Sequence, residues 1–219
     1  MSSTMHPKKR ILLDIKSTLS LEAHELIFEC GYLRAYLDDS LALLKKANYL
    51  APDAQIYSTE SDKYFWSASH TFYFTSSFVS LLMQIAEEII NQYCEQWKAY
   101  LGENLMIKST DPFYQKLKVS VLKKIQLDLN NSKWQDLSDM YQLRNALIHR
   151  NGKLNPNEKP ERLNAVQNLI VKFHGLELID EQLFVSEDFC KNALVVFEKA
   201  FVYLFKETNH HINVLKKAY

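Results

Sequence analysis

Apolar residues return every three or four positions through several long segments of the chain, which is the spacing that lines one face of an α-helix. The first stripe runs from Leu26 to Leu44. The second spans roughly residues 63–101 and carries apolar side chains on two faces, which predicts a central helix buried on two sides. We therefore expect an all-α fold, a helical bundle whose core comes from long helices.

Later helices are marked by start and stop signals. In "TDPF", Asp111 is a candidate cap and Pro112 suits the first helical position, which predicts a third helix. "SKWQ" is a capping-box pattern from Ser132, and the helix that it starts is expected to stop at Gly152. A Pro- and Asn-rich loop then leads into a short helix over about residues 161–172.

The periodicity changes before the last helix. Apolar residues flank a polar turn at Asp180 and Glu181, which predicts a small β-hairpin that packs on the bundle. Ser186 is followed by two acidic residues, the pattern of a capped first turn, and predicts the start of the final helix.

Composition agrees with one helical domain. The chain has 219 residues, 47% of them hydrophobic, and only Gly 4 and Pro 5, a scarcity that favours long helices over a sandwich rich in turns. We expect a flexible N-terminal segment over residues 1–20, a single domain over 21–206, and a C-terminal tail or helix extension over 207–219.

Charge and cysteine usage reduce the number of functional classes that the chain fits. Lys+Arg 26 balances Asp+Glu 26, so any nucleic-acid contact has to come from a local basic patch. The three cysteines lie far apart without a CxxC pair, which predicts neither a zinc site nor a disulfide framework and fits a cytoplasmic protein. No stretch reaches membrane-spanning length without polar residues, so no membrane partner is expected.

Motifs for other enzyme classes are missing from the sequence. It contains no Gly-rich phosphate loop, HExxH or GxSxG, which disfavours ATP hydrolysis, zinc proteolysis and α/β-hydrolase chemistry, and no cofactor is expected. His210 and His211 lie near Glu207, but adjacent histidines diverge on a helix. We assign no metal ligand there.

The stretch "YQLRNALIHRNGKLN" carries the candidate chemistry. Leu143 and Leu147 continue a buried stripe, whereas Asn145 and His149 are four residues apart and share another face. The long stem of Arg144 lets its guanidinium reach towards the same side. His149 falls in the last helical turn, where the helix dipole favours an imidazolium.

"RNALIH" reads Arg-Asn-x-x-x-His at the end of a late helix and resembles the ribonuclease motif of the HEPN superfamily. Trp134 early in the motif helix and a hairpin before the last helix also resemble stand-alone HEPN proteins. The resemblance is specific over residues 134–154 and architectural over 21–133 and 161–205.

The resemblance implies a metal-independent RNA endonuclease that works as a homodimer, with two motif helices lining one cleft. Cleavage through the 2′-hydroxyl needs a base, an acid and a cation for the phosphorane charge. Arg144 and His149 are the expected catalytic residues, and Asn145 is expected to orient the histidine or contact the phosphate. Proximity in sequence makes Arg150, Lys153 and Arg162 candidates for an RNA-binding rim.

The resemblance also implies a toxin or anti-phage defence effector, with an antitoxin or regulatory protein as a candidate partner. One branch of the family has a tyrosine two residues after the histidine that a neighbouring nucleotidyltransferase modifies. Asn151 stands there instead, so this control is not expected.

Three other interpretations stay open. A HEPN-like fold also serves as a non-catalytic dimerisation or RNA-binding module, since fold alone does not supply activity. An arginine and a histidine at a helix C-terminus also suit the helix dipole without any ligand. A motif face buried inside the monomer would favour a structural partner protein.

Overall fold

The computed structural model describes most of the chain: residues 5–50, 60–102, 121–127, 132–150, 152–153, 160–179 and 181–219. Within these ranges, the description leaves out the side chains of residues 48–50, 60–69, 132–133, 149–150, 160–163 and 165. The described chain is mostly helical, with one two-stranded antiparallel hairpin before the last helix, which confirms the predicted fold class.

The helices and strands follow one another in a simple order. The elements are α1 (Pro7–Leu50), α2 (Glu60–Leu101), the short α3 (Lys123–Ile125), α4 (Ser132–Arg150), α5 (Pro160–Lys172), β1 (Leu176–Ile179), β2 (Gln182–Val185) and α6 (Glu187–Leu215). A 3-10 turn, Lys216–Ala218, follows α6. In the hairpin, Leu176 pairs with Val185 and Ile179 with Gln182.

The chain divides into two compact units. The first combines Met1–Glu29, Gln84–Ser138 and Val196–Tyr219, and the second combines Cys30–Met83 and Asp139–Val195. Each unit has its own buried apolar side chains, as the helical periodicity requires.

Residues 7–20 form the beginning of α1 in the first unit, where we expected a flexible segment. Leu12, Ile15 and Leu19 recur at helical spacing and are at most 4% exposed, so this segment contributes to the core of the unit. At the other end of the chain, α6 extends to Leu215 and buries Ile212.

Aromatic side chains and a buried hydroxyl pair hold the first unit together. Trp134 packs edge-to-face against Phe201, with ring centroids 5.7 Å apart. The hydroxyls of Tyr93 and Thr208 lie 2.8 Å apart and are both fully buried. Burial raises the pKa of Tyr93, so the phenol stays neutral inside the unit.

Two turns connect the hairpin of the second unit to its neighbouring helices. The Ser186 hydroxyl accepts a hydrogen bond from the Phe189 amide at 3.2 Å, which confirms the predicted cap of α6. Gly175 has φ +87°, and its carbonyl accepts a bond from the Ser186 amide at 2.9 Å. A Cβ at Gly175 would overlap the Ser186 hydroxyl, so this turn requires glycine.

The helix predicted from Asp111 lies largely outside the described residues. The described residues begin again at Val121. α3 ends at Ile125, and the next residue, Gln126, has a left-handed φ of 59°. α2, α4 and α5 begin and end close to the predicted positions.

Candidate functional site

The motif "RNALIH" occupies the end of α4 in the second unit. Leu143 and Leu147 are 0% and 3% exposed, so the predicted apolar stripe faces the core of the unit. Arg144 and Asn145 lie beside that stripe and are half-buried. The motif face is therefore neither fully buried within the unit nor fully open.

The side chains of Arg144 and Asn145 contact each other. Arg144 donates a hydrogen bond through Nη1 to Oδ1 of Asn145, with a distance of 3.0 Å. The guanidinium carbon also lies 5.9 Å from the centroid of the Tyr141 ring, one helical turn earlier. These two contacts limit the rotamers that the long arginine side chain adopts.

The charge of Arg144 has no carboxylate partner in the described part of the chain. Its Nε is buried and finds no hydrogen-bond acceptor among the same residues. A buried donor of a charged group without an acceptor costs about 1–3 kcal/mol or more. The contact with Asn145 satisfies one N–H through a neutral amide and leaves the positive charge uncompensated.

The chain leaves α4 through a fixed turn at Gly152. The Gly152 amide donates to the Leu147 carbonyl at 3.1 Å, and its carbonyl accepts from the Leu183 amide of β2 at 2.9 Å. Gly152 has φ +75°, and a Cβ there would lie 3.0 Å from the Leu183 carbonyl and 3.3 Å from Phe72 Cζ. The end of the motif helix is thus held against both the hairpin and α2.

Two further residues support this turn. Gln182 forms an isolated β-bridge with Lys153, and its Nε2 would lie 3.1 Å from a Cβ at Gly152. Phe72 packs edge-to-face on Phe184, with ring centroids 5.5 Å apart. The predicted C-terminal stop at Gly152 is therefore also a tertiary contact between α4, β2 and α2 within the second unit.

The other predicted site residues follow Arg144 and Asn145 along the chain. The backbone of His149 lies in the last turn of α4, and Lys153 is exposed beside the hairpin. The side chains of His149, Arg150 and Arg162 lie outside the described residues, as does all of Asn151. The described geometry of the site therefore consists of Arg144, Asn145 and their surroundings.

Tyr141, Gln182 and Phe72 were not among the site residues predicted from the sequence. Tyr141 lies three residues before Arg144, a helical spacing that brings side chains together, so this contact had a local signal. Gln182 and Phe72 reach the motif from distant parts of the sequence, so no local sequence pattern predicted their contacts.

Metal-binding groups do not converge in the residues that the structure describes. No cluster of three or more His, Cys, Asp or Glu side chains has the arrangement of a metal site there. His211 instead contacts the backbone carbonyl of Ile125 through Nε2. None of the helices in the described ranges combines the length and apolar composition needed to cross a bilayer.

Comparison of the chain with protein-family models, with curated proteins and with solved structures gives no match. The resemblance to HEPN proteins therefore rests only on the residues of the motif and its helix.

Proposed function

We propose that the protein is a metal-independent endoribonuclease that acts as a homodimer, with Arg144 and His149 as its catalytic residues. The observation that carries this proposal is the state of Arg144. Its half-buried guanidinium has no carboxylate partner among the described residues and donates a hydrogen bond to the neutral amide of Asn145. A positive charge held in this way is suited to a phosphate, which accepts bonds in the planar geometry that guanidinium offers.

The chemistry needs no metal ion. A base removes the proton of the 2′-hydroxyl, whose oxygen attacks the adjacent phosphorus, and the bond to the 5′-oxygen breaks as an acid protonates that oxygen. The products are a 2′,3′-cyclic phosphate and a free 5′-hydroxyl. Arg144 stabilises the extra negative charge of the pentacoordinate intermediate, and His149 transfers a proton.

A homodimer supplies what one motif lacks. Each chain has one histidine in the motif, whereas the reaction uses an acid and a base. Two α4 termini facing each other would bring two copies of His149 and Arg144 to one phosphate.

Asn145 is a positioning residue in this proposal. The sequence led us to expect contact with the histidine or the phosphate, and the bond from Arg144 Nη1 adds a third role. The turn at Gly152 supports the same helix end, because its bonds to Leu147 and Leu183 limit fraying of the last turn.

The alternative is a non-catalytic HEPN-like module that dimerises or binds RNA. The charge of Arg144, which no described carboxylate neutralises, is also consistent with this alternative, because phosphate binding by a guanidinium requires no proton transfer. The HEPN resemblance further leads us to propose a cytoplasmic toxin or defence effector that an antitoxin or regulatory protein restrains.

The test is cleavage of RNA by the purified full chain in the presence of EDTA. We expect Arg144→Ala and His149→Ala each to lower the cleavage rate by about a hundredfold or more. Arg34→Ala and His174→Ala remove the same residue types from exposed positions outside the motif and should retain the rate. Light scattering should find all five proteins dimeric.

Three results would overturn this proposal. Equal cleavage by all five proteins would indicate a contaminating nuclease, and loss of cleavage on adding EDTA would indicate a metal-dependent mechanism. A dimer that binds RNA through Arg144 and never cuts it would establish the non-catalytic alternative.

A further inference from the structure

Three lysines meet where the beginning of α1 and the end of α6 lie side by side in the first unit. Lys9 and Lys16 are seven residues apart on α1 and therefore share a face, and both are half-buried. Lys16 Nζ donates a hydrogen bond to Asn213 Oδ1 of α6 at 3.1 Å. Lys216 directly follows Leu215, the last residue of α6, and begins the 3-10 turn.

The positive charges of Lys9 and Lys16 repel that of Lys216. Burial lowers the pKa of Lys216, and the charges of Lys16 and Lys9 lower it further, so both lie within electrostatic range of it. Within the described ranges, none of the three lysines has a carboxylate at ion-pair distance. Like charges without a counter-charge are unfavourable, and a bound polyanion would relieve this repulsion.

Aromatic rings lie beside the lysines. The His6 ring stacks on the Tyr219 ring, with centroids 4.7 Å apart and an interplanar angle of 22°. The hydroxyls of Tyr219 and Tyr100 lie 3.5 Å apart, and Lys8 Nζ lies 5.5 Å from the Tyr100 ring centroid. His6 is exposed and Tyr219 is 41% exposed, so this stack is accessible to a ligand.

We propose that this surface, formed by Lys9, Lys16, Lys216 and the His6–Tyr219 stack, binds single-stranded nucleic acid. The lysines bind phosphates of the backbone, and a base extends the ring stack. A charged groove next to exposed aromatic faces is the combination that non-specific single-strand binding uses.

Because the chain as a whole is neutral, it can bind a polyanion only through a local patch of positive charge. Lys+Arg 26 and Asp+Glu 26 cancel, so the protein as a whole does not attract a polyanion. The rings distinguish the ligand class, because a strand of nucleic acid presents planar bases together with its phosphates. Binding at this surface requires neither Arg144 nor His149 and does not rest on the proposed cleavage reaction.

The test is fluorescence anisotropy with a labelled 2′-O-methyl oligoribonucleotide of about 12 nucleotides, which has no free 2′-hydroxyl to attack. The variant Lys9→Ala/Lys16→Ala/Lys216→Ala should bind at least tenfold more weakly than the full-length wild type at low salt. The slope of log K against log salt should fall in magnitude by about 2, because three phosphate contacts on a single strand contribute about 0.7 each.

A matched control removes the same charge elsewhere. Lys46, Lys199 and Lys206 are exposed, and their triple replacement by alanine should leave the affinity within about twofold of wild type. Tyr219→Ala should weaken binding by about tenfold without changing the salt slope, while Tyr219→Phe retains the stack and the affinity. Arg144→Ala should bind like wild type, which separates this surface from the proposed cleavage site.

Equal losses in the two triple variants would overturn the proposal, because binding would then depend on net charge alone. Binding to phosphatidylserine vesicles without binding to the oligonucleotide would also overturn it and assign the surface to anionic lipid. Thermal melting of each variant by circular dichroism establishes that the measured losses belong to folded protein.

Discussion

Nη1 of Arg144 and Oδ1 of Asn145 lie 3.0 Å apart, joined by a hydrogen bond between neighbouring residues of α4. Successive side chains on a helix diverge by about 100°, so the arginine stem has to curve to make this bond. The amide satisfies one N–H of the guanidinium, and no carboxylate among the described residues neutralises its charge. In the proposed function, this combination positions a cation that can bind a phosphate.

Replacing Asn145 tests whether that free charge matters. Asn145→Asp keeps the shape of the side chain and adds a carboxylate beside the guanidinium, which neutralises it. We expect kcat/KM for RNA cleavage to fall by about a hundredfold in Asn145→Asp and by about tenfold in Asn145→Ala, which only loosens Arg144.

The control for this pair is Gln142→Ala, an exposed position on the same helix that should keep kcat/KM within about twofold. A fully active Asn145→Asp would show that the uncompensated charge of Arg144 has no part in the reaction.

Gly152→Ala should destabilise the fold. Its φ of +75° is unfavourable for alanine, and the added Cβ would lie 3.0 Å from the Leu183 carbonyl. We expect a loss of about 1–3 kcal/mol in the free energy of unfolding, measured by urea titration.

Two other glycines separate backbone strain from crowding. Gly102 also has a positive φ, of +67°, but a Cβ there would meet nothing within 4 Å, so Gly102→Ala should cost less than Gly152→Ala. Gly31 lies inside α1 with open space around it, and Gly31→Ala should stabilise the protein by up to about 1 kcal/mol. Equal losses of stability in Gly102→Ala and Gly152→Ala would show that the packing of Gly152 contributes nothing.

Local patterns in the sequence predicted much of the fold. α4 begins at the capping-box serine, and Ser186 caps α6, because each signal involves residues within one helical turn. The hairpin followed from the change of period around its polar turn. The segment 7–20 was missed, although Leu12, Ile15 and Leu19 have helical spacing, because basic residues surround this short stripe.

The site was harder to predict than the helices. Arg144, Asn145 and His149 came from a motif, but the bond between Arg144 and Asn145 depends on a rotamer that spacing does not determine. The contacts of Gly152 with Leu183 and Phe72 join segments distant in sequence. Periodicity carries no information about such pairings.

Removing the buried hydroxyl contact between Tyr93 and Thr208 should destabilise the first unit. Tyr93→Phe removes one hydroxyl of a pair 2.8 Å apart, and Thr208→Val replaces the other with a methyl of similar size. We expect each single substitution to cost about 1–2 kcal/mol, because the remaining buried hydroxyl loses a partner.

The double variant decides whether the two hydroxyls interact. It should cost less than the sum of the two single variants, and denaturant titrations of all four proteins measure this coupling. Strictly additive losses would contradict the contact. Tyr73→Phe, at a position 59% exposed, is the control for removing a phenolic hydroxyl and should change stability by less than about 0.5 kcal/mol.

The three thiols should be unreactive in the native protein. The side chains of Cys30, Cys94 and Cys190 are at most 1% exposed. Burial, with a smaller effect of Glu187, raises the pKa of Cys190 to about 12. Since the thiolate is the reactive form, a chromogenic thiol reagent at pH 8 should modify all three cysteines in concentrated guanidinium chloride and label the native protein at least a hundredfold more slowly.

The same shift predicts how stability depends on pH. A cysteine thiol in the unfolded chain ionises near pH 8.5, whereas Cys190 in the folded protein stays neutral, so unfolding becomes easier as pH rises from about 8.5 towards 12. Cys190→Ala removes this contribution and should lose less stability over that pH range than wild type does. Rapid labelling of native Cys190, or identical pH profiles for the two proteins, would show that the thiol is not held neutral by burial.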